Sequence, residues 1–306
     1  MINKINNIIK KYNLDGYIVA KNDEYFTEYS EINKLQVLCN FTGSAGFALI
    51  LKKSKHLFVD GRYTIQAKRQ SGKKFKIEEI PYTWPKDILK KRKNITIGFD
   101  PKFFTSSTLL KYFDDNICLK PVNENLLKIN NFKLKKNRYI YKIDNKITGE
   151  SHYNKIRRVI NLLKKEKVEN LFISSGENVC WLLNIRGKDL PNSPIVNSRA
   201  VITSKGKIYL FVDTRKVTKN FTKKFNNKNI FIYDENQIFK VIKKIKTKKF
   251  AIDNLTCSIF YESLIKSSFK IISKIDPIYD LKSVKNKTEL KNMKKAHIED
   301  GVALTK

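Results

Sequence analysis

The sequence predicts an α/β protein made of two tandem, duplicated domains, each a mixed β-sheet flanked by helices. Three observations lead there. "HLFVDGR" at His56 to Arg62 returns as "YLFVDTR" at Tyr209 to Arg215, so that Asp60 and Asp213, and Arg62 and Arg215, stand 153 residues apart. "IGFDP" around Asp100 returns as "FAIDN" around Asp253 at the same spacing. A period this long marks duplicated domains, since solenoid repeats are far shorter. Finally, apolar runs of strand length alternate with amphipathic stretches of helical period, the pattern of a layered α/β sheet.

The elements follow in the same order in each half. An amphipathic helix at Ile2 to Tyr12 precedes the apolar strand "GYIVA", and a longer one at Tyr153 to Lys165 precedes "NLFIS". A helical segment is expected next, "DEYFTEYS" in the first half and "ENVCWLLN" in the second, followed by a hairpin. The hairpins are "FALILKKSKHLFVD" and "AVITSKGKIYLFVD", the latter with turn residues at Ser204 to Lys207. A helix after Arg62 or Thr214 comes next, then a strand ("FKIEEI" or "IFIYD"), another helix and the "GFD" or "AID" strand. The first domain is expected over residues 1–143, the second over 144–283, and a separate terminal segment over 284–306.

That segment opens a new helix. Asn286 is placed to cap it, with Glu289 three residues on to reach back to its amide. Leu290, Met293, His297, Gly301 and Leu304 then recur at steps of three and four. The helix is open to two readings: it folds back on the domain before it, or it begins a further domain. On the second reading, residues 288–306 are expected to make few long-range contacts with the two domains.

Composition narrows the function classes. A chain of 306 residues with 41% hydrophobic content can bury a sizeable core. No run approaches the roughly 18 apolar residues of a membrane span, and "MINKINNIIKKYNL" lacks the apolar core of a signal peptide, so a cytoplasmic location and no membrane partner are expected. Cys39, Cys118, Cys180 and Cys257 form no C-x-x-C pair, which argues against a zinc knuckle or a disulfide framework. The net charge of +33 would suit nucleic acid, yet the lysines are spread over nearly every segment beside abundant Asn and Ile. No recognisable nucleic-acid motif concentrates them, so no specific nucleic-acid partner is expected.

Few segments could carry chemistry. His56, His152 and His297 share no metal-ligand spacing. "TGSAG" at Thr42 to Gly46 is neither a phosphate loop nor a nucleophile elbow, and Gly43 and Gly46 read as residues of a tight turn before a strand. Asp60 and Arg62 in "VDGRY" read as a pair pinning the turn that follows a strand. "WLLNIRGKDLPNSPIV", Trp181 to Val196, mixes Arg186, Asp189 and Asn192 with two prolines; it is either a substrate-gating loop or an ordinary connection.

Taken together and in order, these words resemble Xaa-Pro aminopeptidase (aminopeptidase P), in the three-domain branch of the creatinase/prolidase pita-bread superfamily. "NDEYFTEYS", "FTGSAGFALI" and "LFVDGRYTIQAKRQ" look like its first creatinase N-terminal-like domain, and "VCWLLNIRGKDLPNSPIVNSRAVI" like its second. "VKNKTELKNMKKAHIEDGVAL" is similar to the junction into its catalytic domain. Many relatives carry Asp where this chain has Thr42. The resemblance implies removal of an N-terminal residue ahead of proline by a hydroxide bridging two manganese ions, held by two Asp, one His and two Glu of the catalytic domain. None of those five ligands has a counterpart here. The resemblance thus implies an inactive N-terminal portion with no catalytic residue, metal or cofactor of its own, in a full-length enzyme that uses two Mn2+ ions and takes peptides with proline at position two. It also implies a homodimer through the first domain. The alternative is a stand-alone, non-catalytic binding or dimerisation module.

Overall fold

All five residues of β1 (Gly16–Ala20) are buried, because helices cover both faces of the sheet in which it is a central strand. The computed structural model describes residues 1–28, 33–124, 126, 138–225 and 229–306, which group into two compact units, Met1–Lys133 with Asn254–Ser263 and Leu134–Asp253 with Leu264–Lys306.

In the first unit β1 is joined by β2 (Phe47–Leu51), β3 (Lys55–Asp60), β4 (Lys76–Ile80), β5 (Ile95–Phe99) and β6 (Ile117–Pro121) in the order β4-β3-β2-β1-β5-β6. The β1–β2 and β2–β3 pairs are antiparallel, and the other three pairs are parallel. Side chains alternate between faces, so Tyr17, Val19, Ala48, Ile50, Leu57 and Val59 meet α1 (Ile2–Lys11), α2 (Lys34–Cys39) and α3 (Thr64–Ser71). Ile18, Phe47, Leu49, Phe58, Ile97 and Phe99 meet α4 (Pro85–Leu89) and α5 (Ser106–Tyr112). Helix α1 docks through Ile5, Ile8 and Ile9, the apolar stripe that its period requires.

The second unit repeats this plan. Its six strands are β8 (Asn170–Ile173), β10 (Ser198–Thr203), β11 (Ile208–Val212), β12 (Ile230–Tyr233), β13 (Lys249–Ile252) and β14 (Lys270–Ser273), in the order β12-β11-β10-β8-β13-β14. A two-stranded sheet of β7 (Tyr141–Lys142) and β9 (Ile185–Arg186) stands beside it. The unit's helices begin with α6 (Asn145–Thr148), α7 (His152–Lys165), α8 (Gly176–Leu183), α9 (Lys219–Lys224) and α10 (Ile238–Lys243). Helix α11 (Ile259–Lys266) begins in the first unit's Asn254–Ser263 segment, and α12 (Ile278–Ser283) and α13 (Lys287–Thr305) complete the second. One core gathers Ile156, Val159 and Leu163 of α7 with Leu171, Ile173, Ala200, Ile202 and Leu210 of the sheet. On the opposite face Phe172, Val201, Phe211, Phe250 and Ile252 are equally buried.

The two predicted hairpins are present at their predicted places. "DEYFTEYS" is not a helix over its described part, Asp23 to Glu28, which is irregular; Tyr29 and Ser30 lie outside the described residues. The Asp23 carboxylate accepts hydrogen bonds from the Tyr25 and Thr27 amides, and Phe26 takes a left-handed φ of 59°. A short acidic side chain has thus bonded the backbone that a helix would need. The helix of this region is α2, capped by Asn33. Strands β6 and β14 also escaped the periodicity, being short, partly exposed edge strands.

The capping box of α13 is formed: Asn286 N–H donates to Glu289 Oε2 and Glu289 N–H donates to Asn286 Oδ1, each at 2.9 Å. No residue of α13 is buried, and Leu290, Met293, Val302 and Leu304 are exposed. The helix is nevertheless tied to α6, where Asn292 Nδ2 donates to Ile147 O at 3.0 Å.

Two buried groups make the second unit sensitive to pH in opposite senses. Neither ring nitrogen of His152 has a hydrogen-bond partner among the described residues, and the ring packs against Tyr153 and Phe225. Burial, with Lys142 and Lys155 nearby, pushes its pKa down to about 4. Its contribution is therefore present above its unfolded pKa and lost as pH falls toward 4. Asp276 accepts from Ile278 N–H and Asn178 Nδ2, yet burial pushes it up to about 6. Its contribution is present below its unfolded pKa and lost as pH rises through 6. Between pH 6 and 4 the two oppose each other. In thermal melts, His152→Leu is expected to gain stability as pH falls from 7 to 5, and Asp276→Asn to lose it. Parallel profiles for the two variants would refute the assignment.

Candidate functional site

The strand-end turns are built identically in the two units. Asp60 ends β3 and Asp213 directly follows β11, so both carboxylates sit at the edge of the buried layer. Asp60 accepts from Arg62 N–H and Nε at 3.0 Å and from Nη2 at 2.8 Å. Asp213 accepts from Arg215 N–H at 3.1 Å, Nε at 2.9 Å and Nη2 at 2.8 Å. One carboxylate thus satisfies a turn amide and a guanidinium fork together. The guanidinium in each pair holds its carboxyl below the usual range. Both arginines point largely into solvent. These pairs close turns.

"TGSAG" lies against α3. Thr42 Oγ1 accepts from Gln66 and Gln70 at 2.8 and 2.9 Å, and Thr42 N–H donates to Gln70 Oε1. Ser44 Oγ donates to Glu28 Oε1 at 2.7 Å and lies 2.8 Å from the Tyr63 hydroxyl. A Cβ on Gly43 would meet the Phe41 ring at 2.3 Å. Gly46 has φ +146°, and a Cβ there would stand 2.8 Å from Phe58 O. Only glycine admits that backbone at that distance.

The loop after α8 is organised around Asp189. Its carboxylate is buried and accepts from Asn197 N–H at 2.8 Å and from Lys216 Nζ at 2.9 Å. Arg186 turns inward, donating from Nη1 to Cys180 O at 3.1 Å and Ile185 O at 2.8 Å. Asn192 stands exposed beyond them. Asp189 and Arg186 are therefore brought together as supports of one loop, while Gly43, Gly46, Asp60 and Arg62 are strand-end residues of the other unit. Near the loop lie two polar residues that the sequence reading passed over, Lys155 and Asn184, both buried. Their signal was weak: one is a lysine within a helix rich in basic residues, the other a single Asn after an apolar helix. Among the described residues no group of three or more His, Cys, Asp or Glu side chains could hold a metal ion.

Gly46→Ala is expected to cost about 2–3 kcal/mol in urea unfolding, through backbone strain and the carbonyl contact. Asp189→Ala leaves Lys216, whose side chain is 12% exposed, without its carboxylate. A loss of about 2–4 kcal/mol is expected, part of it recovered by adding Lys216→Met. Asn192→Ala should change stability by less than about 0.5 kcal/mol.

Comparison with known proteins places this architecture. The chain matches models of the creatinase/prolidase N-terminal domain twice, over residues 1–124 and over 131–289, the latter just over half of the chain. A probable Xaa-Pro aminopeptidase P of Laccaria bicolor is 28% identical over 99% of this chain and 50% of its own length. Xaa-Pro aminopeptidase 1 of Dictyostelium discoideum is 28% identical over 99% of this chain and 51% of its own. The chain spans about half the length of the curated relatives it matches. Among solved structures, X-prolyl aminopeptidase from Caenorhabditis elegans, described as a cytosolic enzyme with a di-nuclear active site, superposes with a TM-score of 0.83. It covers 95% of this chain and 50% of its own at 22% identity, a likeness that speaks for the fold. The chain belongs to the creatinase/prolidase N-terminal domain family and carries that domain twice in tandem.

Proposed function

We propose that this chain is the amino-terminal, non-catalytic portion of a cytoplasmic Xaa-Pro aminopeptidase, which removes the residue preceding proline from peptide N-termini. The observation that carries this reading is coverage: relatives with that name align over almost the whole chain and about half of themselves. Proline lacks the amide N–H and constrains its neighbour, which sets such peptides apart as substrates. The metal chemistry of such an enzyme has no donor set among the described residues, so no step of it is assigned to this chain. The chain's own part is to frame and gate the substrate. In that role Arg186 and Asp189 hold the loop in shape, and Asn192, exposed beyond them, is left to contact peptide. No described helix is long and apolar enough to cross a membrane.

The test is to incubate the 306-residue chain with Mn2+ and a peptide bearing proline at position two. No turnover above a buffer blank is expected. Appreciable release of the N-terminal residue would overturn the reading.

A further inference from the structure

The buried polar residues near the loop form a continuous chain across four helices of the second unit. Lys155 of α7, 2% exposed, donates from Nζ to Asn184 Oδ1 at 2.8 Å and to Trp181 O at 3.2 Å, and lies 4.3 Å from the Trp181 ring. Asn184 caps α8 in the left-handed conformation and immediately precedes β9 and the Asp189 loop. Its Nδ2 donates to Thr148 Oγ1 at 3.2 Å and to Glu150 O at 2.8 Å, at the end of α6. The Thr148 hydroxyl in turn donates to Glu150 O at 3.0 Å. Thr148 O accepts from Asn286 Nδ2 at 2.9 Å, and Asn286 is the N-cap of α13. Gly149 sits beneath this last contact with φ +69°, and a Cβ on it would stand 2.4 Å from Asn286 Oδ1. So close an approach of α6 and the cap requires glycine.

We propose that Lys155, Asn184, Thr148 and Asn286 form a positioning device that sets the direction of α13 and couples it to the Asp189 loop. The physical case rests on what α13 lacks. With no buried residue it has no apolar dock, and helix stability in proteins comes mainly from such docking. Its hold on the unit is polar: Asn286 on Thr148 O and Asn292 on Ile147 O, both at the C-terminal end of α6. That end of α6 is itself held by Asn184, whose carbonyl oxygen also accepts from Ile143 N–H at 2.8 Å. A loop movement that turns Asn184 withdraws two donors from the α6 end. Polar groups buried at this depth do not remain unpaired without cost, so the α6 end and the cap above it must shift with them. Every contact involved lies within the second unit, so the coupling stands whether or not the peptidase reading holds.

The test is amide hydrogen exchange on the full chain. Asn184→Gly keeps the left-handed cap but removes the side chain that joins Lys155 to Thr148. It is expected to speed exchange across residues 287–292 by roughly fivefold to tenfold, the effect of losing one net hydrogen bond. Asn286→Ser keeps a capping oxygen and removes the donor to Thr148 O. By reciprocity it is expected to speed exchange at Ile143 and at residues 184–187 as well as in α13. Lys295→Ala, which removes the exposed Lys295–Glu299 pair within α13, serves as the control and is expected to leave residues 184–187 unchanged. The proposal is overturned if Asn184→Gly leaves residues 287–292 unchanged, or if the effect of Asn286→Ser stops at α13. Should Asn184→Gly fail to fold, the Asn286→Ser result decides alone, because Asn286 is only half-buried.

Discussion

Burial of both faces of each central strand is the constraint on which everything else in this protein depends. β1 and β8 are flanked by strands on each side and helices above and below, so all their side chains are removed from water. A strand in that position can expose only its ends. Polar groups with work to do are therefore pushed to the strand ends and the loops beyond them, where Asp60, Asp213, Asp189 and Asn184 are found.

Duplication makes visible which features that constraint demands and which are free. The Asp–Arg turns have kept the same three hydrogen bonds in both copies, because each must satisfy a turn amide where the chain leaves an inner strand. The cores between them have diverged. Phe47 pairs with Phe58 on adjacent strands of the first sheet and stacks on it at 4.7 Å. At the matching register of the second sheet Arg199 pairs with Phe211, a fully buried guanidinium in place of a ring. The same backbone register thus accommodates an aromatic stack in one sheet and a buried guanidinium in the other.

The second unit has invested far more in buried polar contacts than its apolar strands suggest. Lys155, Asn178, Asn184, Asp189 and Asp276 are all buried, and most of their bonding capacity is spent inside the unit. Such groups are expensive to bury unless paired, and once paired they specify one arrangement of the elements they join. Lys155, Asn184 and Asp189 organise the segment after α8, while Asn178 and Asp276 tie α8 to the start of α12. The polarity of these residues is used for shape.

What the sequence by itself determined is the period and the order: the 153-residue repeat, the hairpins, the α1 and α7 stripes and the Asn286–Glu289 cap are all local or pairwise patterns carried by neighbouring residues. Asp23 diverted its segment from a helix through bonds two and four residues away, a competition that periodicity does not register. The edge strands β6 and β14 went unseen because a half-exposed strand of four or five residues alternates too briefly to stand out. Only the tertiary structure decided what Arg186, Asp189 and Lys155 do. The partners of Lys155 and Asp189 lie beyond loops and helices, Arg186 turns back on its own helix end, and whether a charge faces water, a carbonyl or an opposite charge depends on the packing of those elements, which no local pattern encodes.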